Sequence, residues 1–128
     1  MILEPYEPHH YQEIVAWWTQ HNAPVIPERW LPPFGLIARG DFGAGLAACW
    51  LYFTGTPVAY IENLVSNPKA DKRIVNTAID LVIEGCSRTA KENGCEVLIA
   101  ATASVPVLSR VKRLGFNAEK QWLLTRIL

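Results

Sequence analysis

Apolar and polar positions change their period several times along the chain, and each change marks an element. Residues 2–4 are a short apolar start before Pro5. From about Pro8 to His21 the period is helical, with Tyr11, Ile14, Val15, Trp17 and Trp18 mainly on one face. Pro8 suits a first helical turn, and Asn22-Ala23-Pro24 ends the segment. Neighbouring helical residues point about 100° apart. Trp17 and Trp18 are therefore expected to diverge, one into the core and the other toward a cleft or a partner. His9 and His10 fall at what reads as the exposed start of the helix. Residues 22–33 then form a loop with Pro24, Pro27, Pro32, Pro33, Trp30 and Leu31. Loops of that length in small domains are often lids or binding loops.

Strand-like runs follow at 34–38, 46–54 and 57–66, with Gly55-Thr56-Pro57 short enough to close a hairpin. They predict an antiparallel meander. After Pro68, Ile74, Ala78, Leu81, Val82 and Cys86 recur at helical spacing, widened by Val75, Ile79 and Ile83, and Gly94 suits the helix end. The run 95–102 is apolar at both parities around Val97, Leu98 and Ile99, which predicts a buried, central, parallel strand. Ser104 can cap a short helix carrying Val107, Leu108, Val111 and Leu114, and Gly115 stops it. The last run, 116–128, reads as a strand through Trp122, Leu123, Leu124, Ile127 and Leu128. The fold class is mixed α/β (α+β): one domain over 1–128, with a meander joined to a parallel strand pair by a long helical crossover.

Composition narrows the function. Twelve basic residues balance 12 acidic ones, which excludes a bulk electrostatic grip on nucleic acid. Half the residues are apolar, so the chain is not disordered. Cys49, Cys86 and Cys95 match no zinc spacing and sit in apolar runs, as buried reduced thiols do. No metal site is expected. No run reaches the roughly 18 apolar residues of a membrane span, and residues 1–5 have no leader pattern, so a soluble, cytoplasmic location is expected. Trp17, Trp18 and Trp30 are three of the five tryptophans, and they crowd the first helix and the proline-rich loop.

The order of elements resembles the GNAT acetyltransferase superfamily over nearly the whole chain. Three stretches carry the resemblance. Tyr60-Ile61-Glu62-Asn63-Leu64-Val65-Ser66-Asn67-Pro68 looks like the family's fourth strand. The helix after Pro68 looks like its cofactor helix, and the stretch from Val107 to Leu114-Gly115-Phe116 like its short helix ending in Leu-Gly-Phe. The Trp30-Leu31-Pro32-Pro33-Phe34-Gly35 stretch and the Ser66-Asn67-Pro68 turn also look like a group of phage-encoded GNAT-like proteins, whose place would be the host cytoplasm.

The resemblance implies an N-acyltransferase that moves an acetyl group from acetyl-CoA to an amine of a small molecule or a protein. It implies that Leu64, Val65 and Ser66 offer backbone amides to the donor, and that Lys72, Arg73, Asn76 and Thr77 lie at its pyrophosphate. Backbone amides can polarise a thioester carbonyl. Glu62 is the candidate base. Trp18, Trp30 and Tyr60 are candidates for the acceptor or partner side, and Tyr52 and Tyr60 are other candidate acids.

The sequence departs from the family pattern at both ends of this chemistry. The glycine positions of the pyrophosphate turn fall on Ile74 and Asn76, and its basic or amide position on Asp71. Either the helix start still binds an anion with help from Lys72 and Arg73, or it is an ordinary capped helix. Val111 stands where many members carry a tyrosine acid. The alternative reading is a non-catalytic protein of this fold, acting through a homodimer or protein interface built on Trp18, Trp30 and the proline-rich loop.

Overall fold

A computed structural model describes residues 1–102 and 104–128. It contains the strands β1 (Ile2–Pro5), β2 (Gly35–Arg39), β3 (Gly45–Phe53), β4 (Val58–Ser66) and β5 (Val97–Ala100). The helices are α1 (Tyr11–Gln20), α2 (Lys72–Glu92) and α3 (Val105–Arg113). The strands form one sheet in chain order, antiparallel from β1 to β4, with β5 added parallel to β4. No helix among the described residues is long and apolar enough to cross a membrane.

The period-2 alternation of the strands gives the sheet two covered faces. On one face Leu36, Ala38, Cys49, Leu51, Ala59 and Ile61 pack on Ala78, Val82, Ile83 and Cys86 of α2. α2 comes close because Gly85 has no side chain: a Cβ there would stand 2.6 Å from Leu36 and 2.8 Å from Leu3. On the other face Ile37, Ala48, Trp50 and Val65 receive Ile14, Trp17 and Trp18 of α1. α1 is also tied down by charge. Arg39 donates from Nε to Glu4 at 2.7 Å and from Nη1 to Glu13 at 3.0 Å.

Four expectations need correcting. Trp17 and Trp18 are both buried, each 4% exposed. Trp17 lies so close over Gly45 that a Cβ would stand 2.7 Å from its ring, while Trp18 stacks on Trp50 at 5.8 Å. Trp18 therefore offers no face to a partner. His10 is buried too: its Nδ1 accepts from the Glu7 amide at 2.9 Å and its Nε2 faces Glu4 at 3.3 Å. Burial depresses its pKa and keeps the ring neutral, with the proton on Nε2.

The third correction concerns β5, which is parallel to β4 as expected but is the edge of the sheet, not its centre, with Val97 51% exposed. The fourth explains the third. Residues 116–128 form no strand, so none of the described residues pairs with the outer edge of β5. Trp122, Leu123, Leu124, Ile127 and Leu128 are exposed. Their apolar side chains occupy both parities, so the run has no single face to commit to a core.

Candidate functional site

The site is built where β4 stops behaving as a regular strand. Ala48 faces Val65 and Trp50 faces Glu62, so β4 carries one more residue than β3 across that interval. Such a bulge bends its strand. Asn63 absorbs it with a φ of 62°, in the left-handed region that asparagine tolerates better than most residues. Its side chain is anchored: Nδ2 donates to the Tyr52 hydroxyl at 2.8 Å, and that hydroxyl donates to the Trp30 carbonyl at 3.1 Å. The proline-rich loop is thus fastened to the bulge through Trp30's backbone, while the Trp30 ring is exposed beneath the Arg29 guanidinium.

β5 pairs only with Val58–Ile61 of β4. Beyond that point the backbone of Glu62–Ser66 has no strand on its β5 side. An unpaired strand edge offers backbone N–H groups beside its carbonyls, and an N–H can polarise a carbonyl. Leu64 packs toward the α2 cluster and Val65 is buried in the α1 cluster. The Ser66 carbonyl lies 2.8 Å from Nε2 of His21, which ties the end of α1 to the end of β4.

Glu62 immediately precedes the bulge and pairs with Trp50 of the α1-side cluster. It is half-buried, and burial pushes its pKa above the ordinary glutamate value. No side-chain hydrogen bond or ion pair holds its carboxylate among the described residues. Burial likewise raises the pKa of Tyr52, and the nearby charge of Glu62 adds to that against the opposing hydrogen bond from Asn63. Tyr52 thus keeps its proton. Tyr60 lies directly opposite Tyr52 and is partly exposed.

The turn into α2 is different in kind. Asp71 caps the helix, and its Oδ1 accepts from the Arg73 amide at 2.9 Å and the Ile74 amide at 3.2 Å. The Val75 amide goes to the Asp71 carbonyl at 2.9 Å. Asn67 takes the two amides before it, Lys69 on Oδ1 at 3.0 Å and Ala70 on its carbonyl at 3.3 Å. Every one of these donors has an acceptor inside the protein.

The remaining predicted cofactor residues are occupied in similar ways. Arg110 of α3 donates to Asn76, to its side-chain oxygen at 2.8 Å and its carbonyl at 2.9 Å. The Thr77 hydroxyl turns back to the Arg73 carbonyl at 3.4 Å. Lys72 and Arg73 are exposed. A hollow of about 290 Å³ brings Ser66, Lys72 and Asn76 together with His21, Pro68 and Val75. Glu62, Tyr60, Trp18 and Trp30 do not line it.

Acetyl-CoA, which the family resemblance implies, carries a pyrophosphate that needs free amides at this turn. The Arg73 and Ile74 amides are taken by Asp71, whose charge has the same sign as the ligand's. The residues present do not fit the diphosphate part of that group. The second of the two readings left open by the sequence, a capped helix, describes this turn.

Asn63 was not among the residues singled out in the sequence. Its signal was its type: within the apolar strand Tyr60–Val65, asparagine marks a place where the backbone can turn left-handed.

No protein-family model matches the chain, and no curated protein matches it in sequence. Solved structures do match its fold. An acetyltransferase from Trypanosoma brucei aligns with a TM-score of 0.73 at 15% identity, over 98% of this chain and 99% of that one. The aminoglycoside 6'-N-acetyltransferase AAC(6')-Ig from Acinetobacter haemolyticus aligns at 0.65 and 18% identity, over 100% and 99%. AAC(6')-Iy, solved with a bisubstrate analogue that joins CoA to monomethyl-acetylneamine, aligns at 0.68 and 17%, over 99% and 97%. The chain has the GNAT fold.

Proposed function

We propose that this GNAT-fold chain is an N-acyltransferase that passes an acyl group from a thioester to the amine of a small molecule or a protein. The observation that carries the reading is that β5 ends opposite Ile61, which leaves β4 without a strand on that side from a half-buried glutamate through the bulge at Asn63. The amine nitrogen attacks the thioester carbonyl beside Glu62–Ser66, where backbone amides stabilise the oxyanion. Glu62, directly or through a water, takes the proton that the nitrogen loses. The carbon–sulfur bond then breaks, and the same proton goes to the leaving thiolate, which restores the carboxylate. A glutamate whose pKa is raised by burial suits both halves of that transfer. It also accounts for the lack of an acid at Val111, since no second proton donor is needed.

The test is thiol release from S-acetylpantetheine with an aminoglycoside or a lysine peptide as acceptor. Release should exceed the buffer rate. Glu62→Gln should lower it by about 10²–10⁴-fold while leaving donor binding in place. Unchanged turnover in that variant removes Glu62 from the role.

A second reading is favoured by the exposed apolar run at Trp122–Leu128 and by the closed helix start. In it the chain is a non-catalytic protein of this fold that meets a protein partner or a second copy. A phage origin rests on the narrower sequence resemblance. Absence of thiol release from every thioester and acceptor tried would favour this second reading.

A further inference from the structure

We infer that the Asp71 carboxylate is a resident anion in the seat a donor's diphosphate would take. The chain then selects thioester donors by their pantetheine-like half, without a preference for a coenzyme that carries a diphosphate. This rests on the acyl-transfer reading above. Four observations lead to it. Oδ1 of Asp71 holds the Arg73 and Ile74 amides at 2.9 and 3.2 Å, so an incoming phosphate would have to displace it. A displaced carboxylate would remain covalently beside the phosphate, like charge against like. The sequence has no glycine from Pro68 to Glu84, and the exposed Ile74 side chain stands at the approach where a bare backbone is required. Finally, two cations that could compensate are already engaged: Arg110 and Arg113 both bind Asp80, at 2.7 and 3.0 Å. Lys69, Lys72 and Arg73 are exposed, where attraction to a phosphate is screened by salt.

The opening beside Glu62–Ser66 lacks this obstruction. Its recognition groups are backbone amides, which suit the amide-containing arm of a pantetheine thioester and need no charge on the ligand. The ligand class is therefore a thioester on a pantetheine-like arm.

Calorimetric titration of the wild-type chain with acetyl-CoA, S-acetylpantetheine and ADP tests this without any variant. The two thioesters should bind within about threefold of each other, and millimolar ADP should not compete. Acetyl-CoA binding tenfold or more tightly than S-acetylpantetheine would overturn the inference while leaving acyl transfer standing. If neither thioester binds, the acyl-transfer reading falls and takes this inference with it. Asp71→Gly combined with Ile74→Gly removes both obstructions and adds an independent arm, since glycine is tolerated at the cap position. Once its fold is checked by circular dichroism, that double variant should prefer acetyl-CoA to S-acetylpantetheine by tenfold or more. A folded double variant with no such preference would show that Asp71 and Ile74 do not guard the seat.

Discussion

At the scale of single residues, Glu62 and Asp71 show how burial and hydrogen bonding give carboxylates opposite tasks. Asp71 spends its oxygen on two helix amides. Glu62 is left half-buried without a partner, and burial raises its pKa. The sign of the stability effect follows from linkage. A carboxyl whose folded pKa is raised favours the folded state while protonated in it, below its unfolded value, and that contribution is lost as pH rises through the folded value. Glu62→Gln cannot ionise. Its stability relative to wild type should therefore improve as pH climbs from about 4 through the raised Glu62 pKa, and level off above it. Urea melts across that range check this, and a flat difference would mean that Glu62 is not desolvated. Glu62 was legible in the sequence as a candidate through the family resemblance, because some members carry a glutamate on the fourth strand. The bulge beside it was not, because a positive φ at Asn63 is fixed by cross-strand partners, Tyr52 above all.

Among the elements, α3 depends on a polar clasp more than on a buried face, since none of its residues is fully buried. Arg110 reaches Asn76 and Asp80 of α2, and Arg113 joins at Asp80. Burial alone would raise the Asp80 pKa, but the two guanidiniums outweigh it and hold it below the ordinary aspartate value. A depressed carboxyl pKa stabilises the fold above its unfolded value, and the effect is lost as pH falls through the folded one. Arg110→Ala should cost about 1–2 kcal/mol at neutral pH. That cost should shrink in acid, as Asp80 protonates. Thermal melts at both pH values measure it, and an equal cost at both would remove Asp80 from the clasp. The period of α2 was readable because its apolar stripe repeats over many turns. The clasp was not, because it joins residues 30 or more positions apart.

At the scale of the whole molecule, strand order follows chain order, so most of the sheet could be read from local hairpins. The β4–α2–β5 crossover was legible from a strand, a long amphipathic helix and a strand in succession. The position of β5 was not. A strand apolar at both parities reads as central only if a neighbour arrives on each side, and residues 116–128 do not supply one. Periodicity describes what a segment could bury, and the presence of a partner decides whether it does. The same limit applied to α1. Two adjacent tryptophans pointing apart looked like one too many for a core, but Gly45 and Trp50 give each ring its own place.

The packing of Trp18 on Trp50 has an optical consequence. Their rings stand 5.8 Å apart and 30° from parallel, and the Trp50 side chain is fully buried with no acceptor for its Nε1 among the described residues. Two chromophores so close in a rigid chiral setting couple their electronic transitions. The folded chain should show a paired positive and negative band in its circular dichroism, from indoles held on α1 and β3. Trp18→Phe keeps an aromatic ring in place and should abolish the pair while leaving the helical signal intact. Persistence of the pair in that variant would assign it elsewhere. The chain thus carries a built-in spectroscopic ruler for the seating of α1 on the sheet, readable without any attached label.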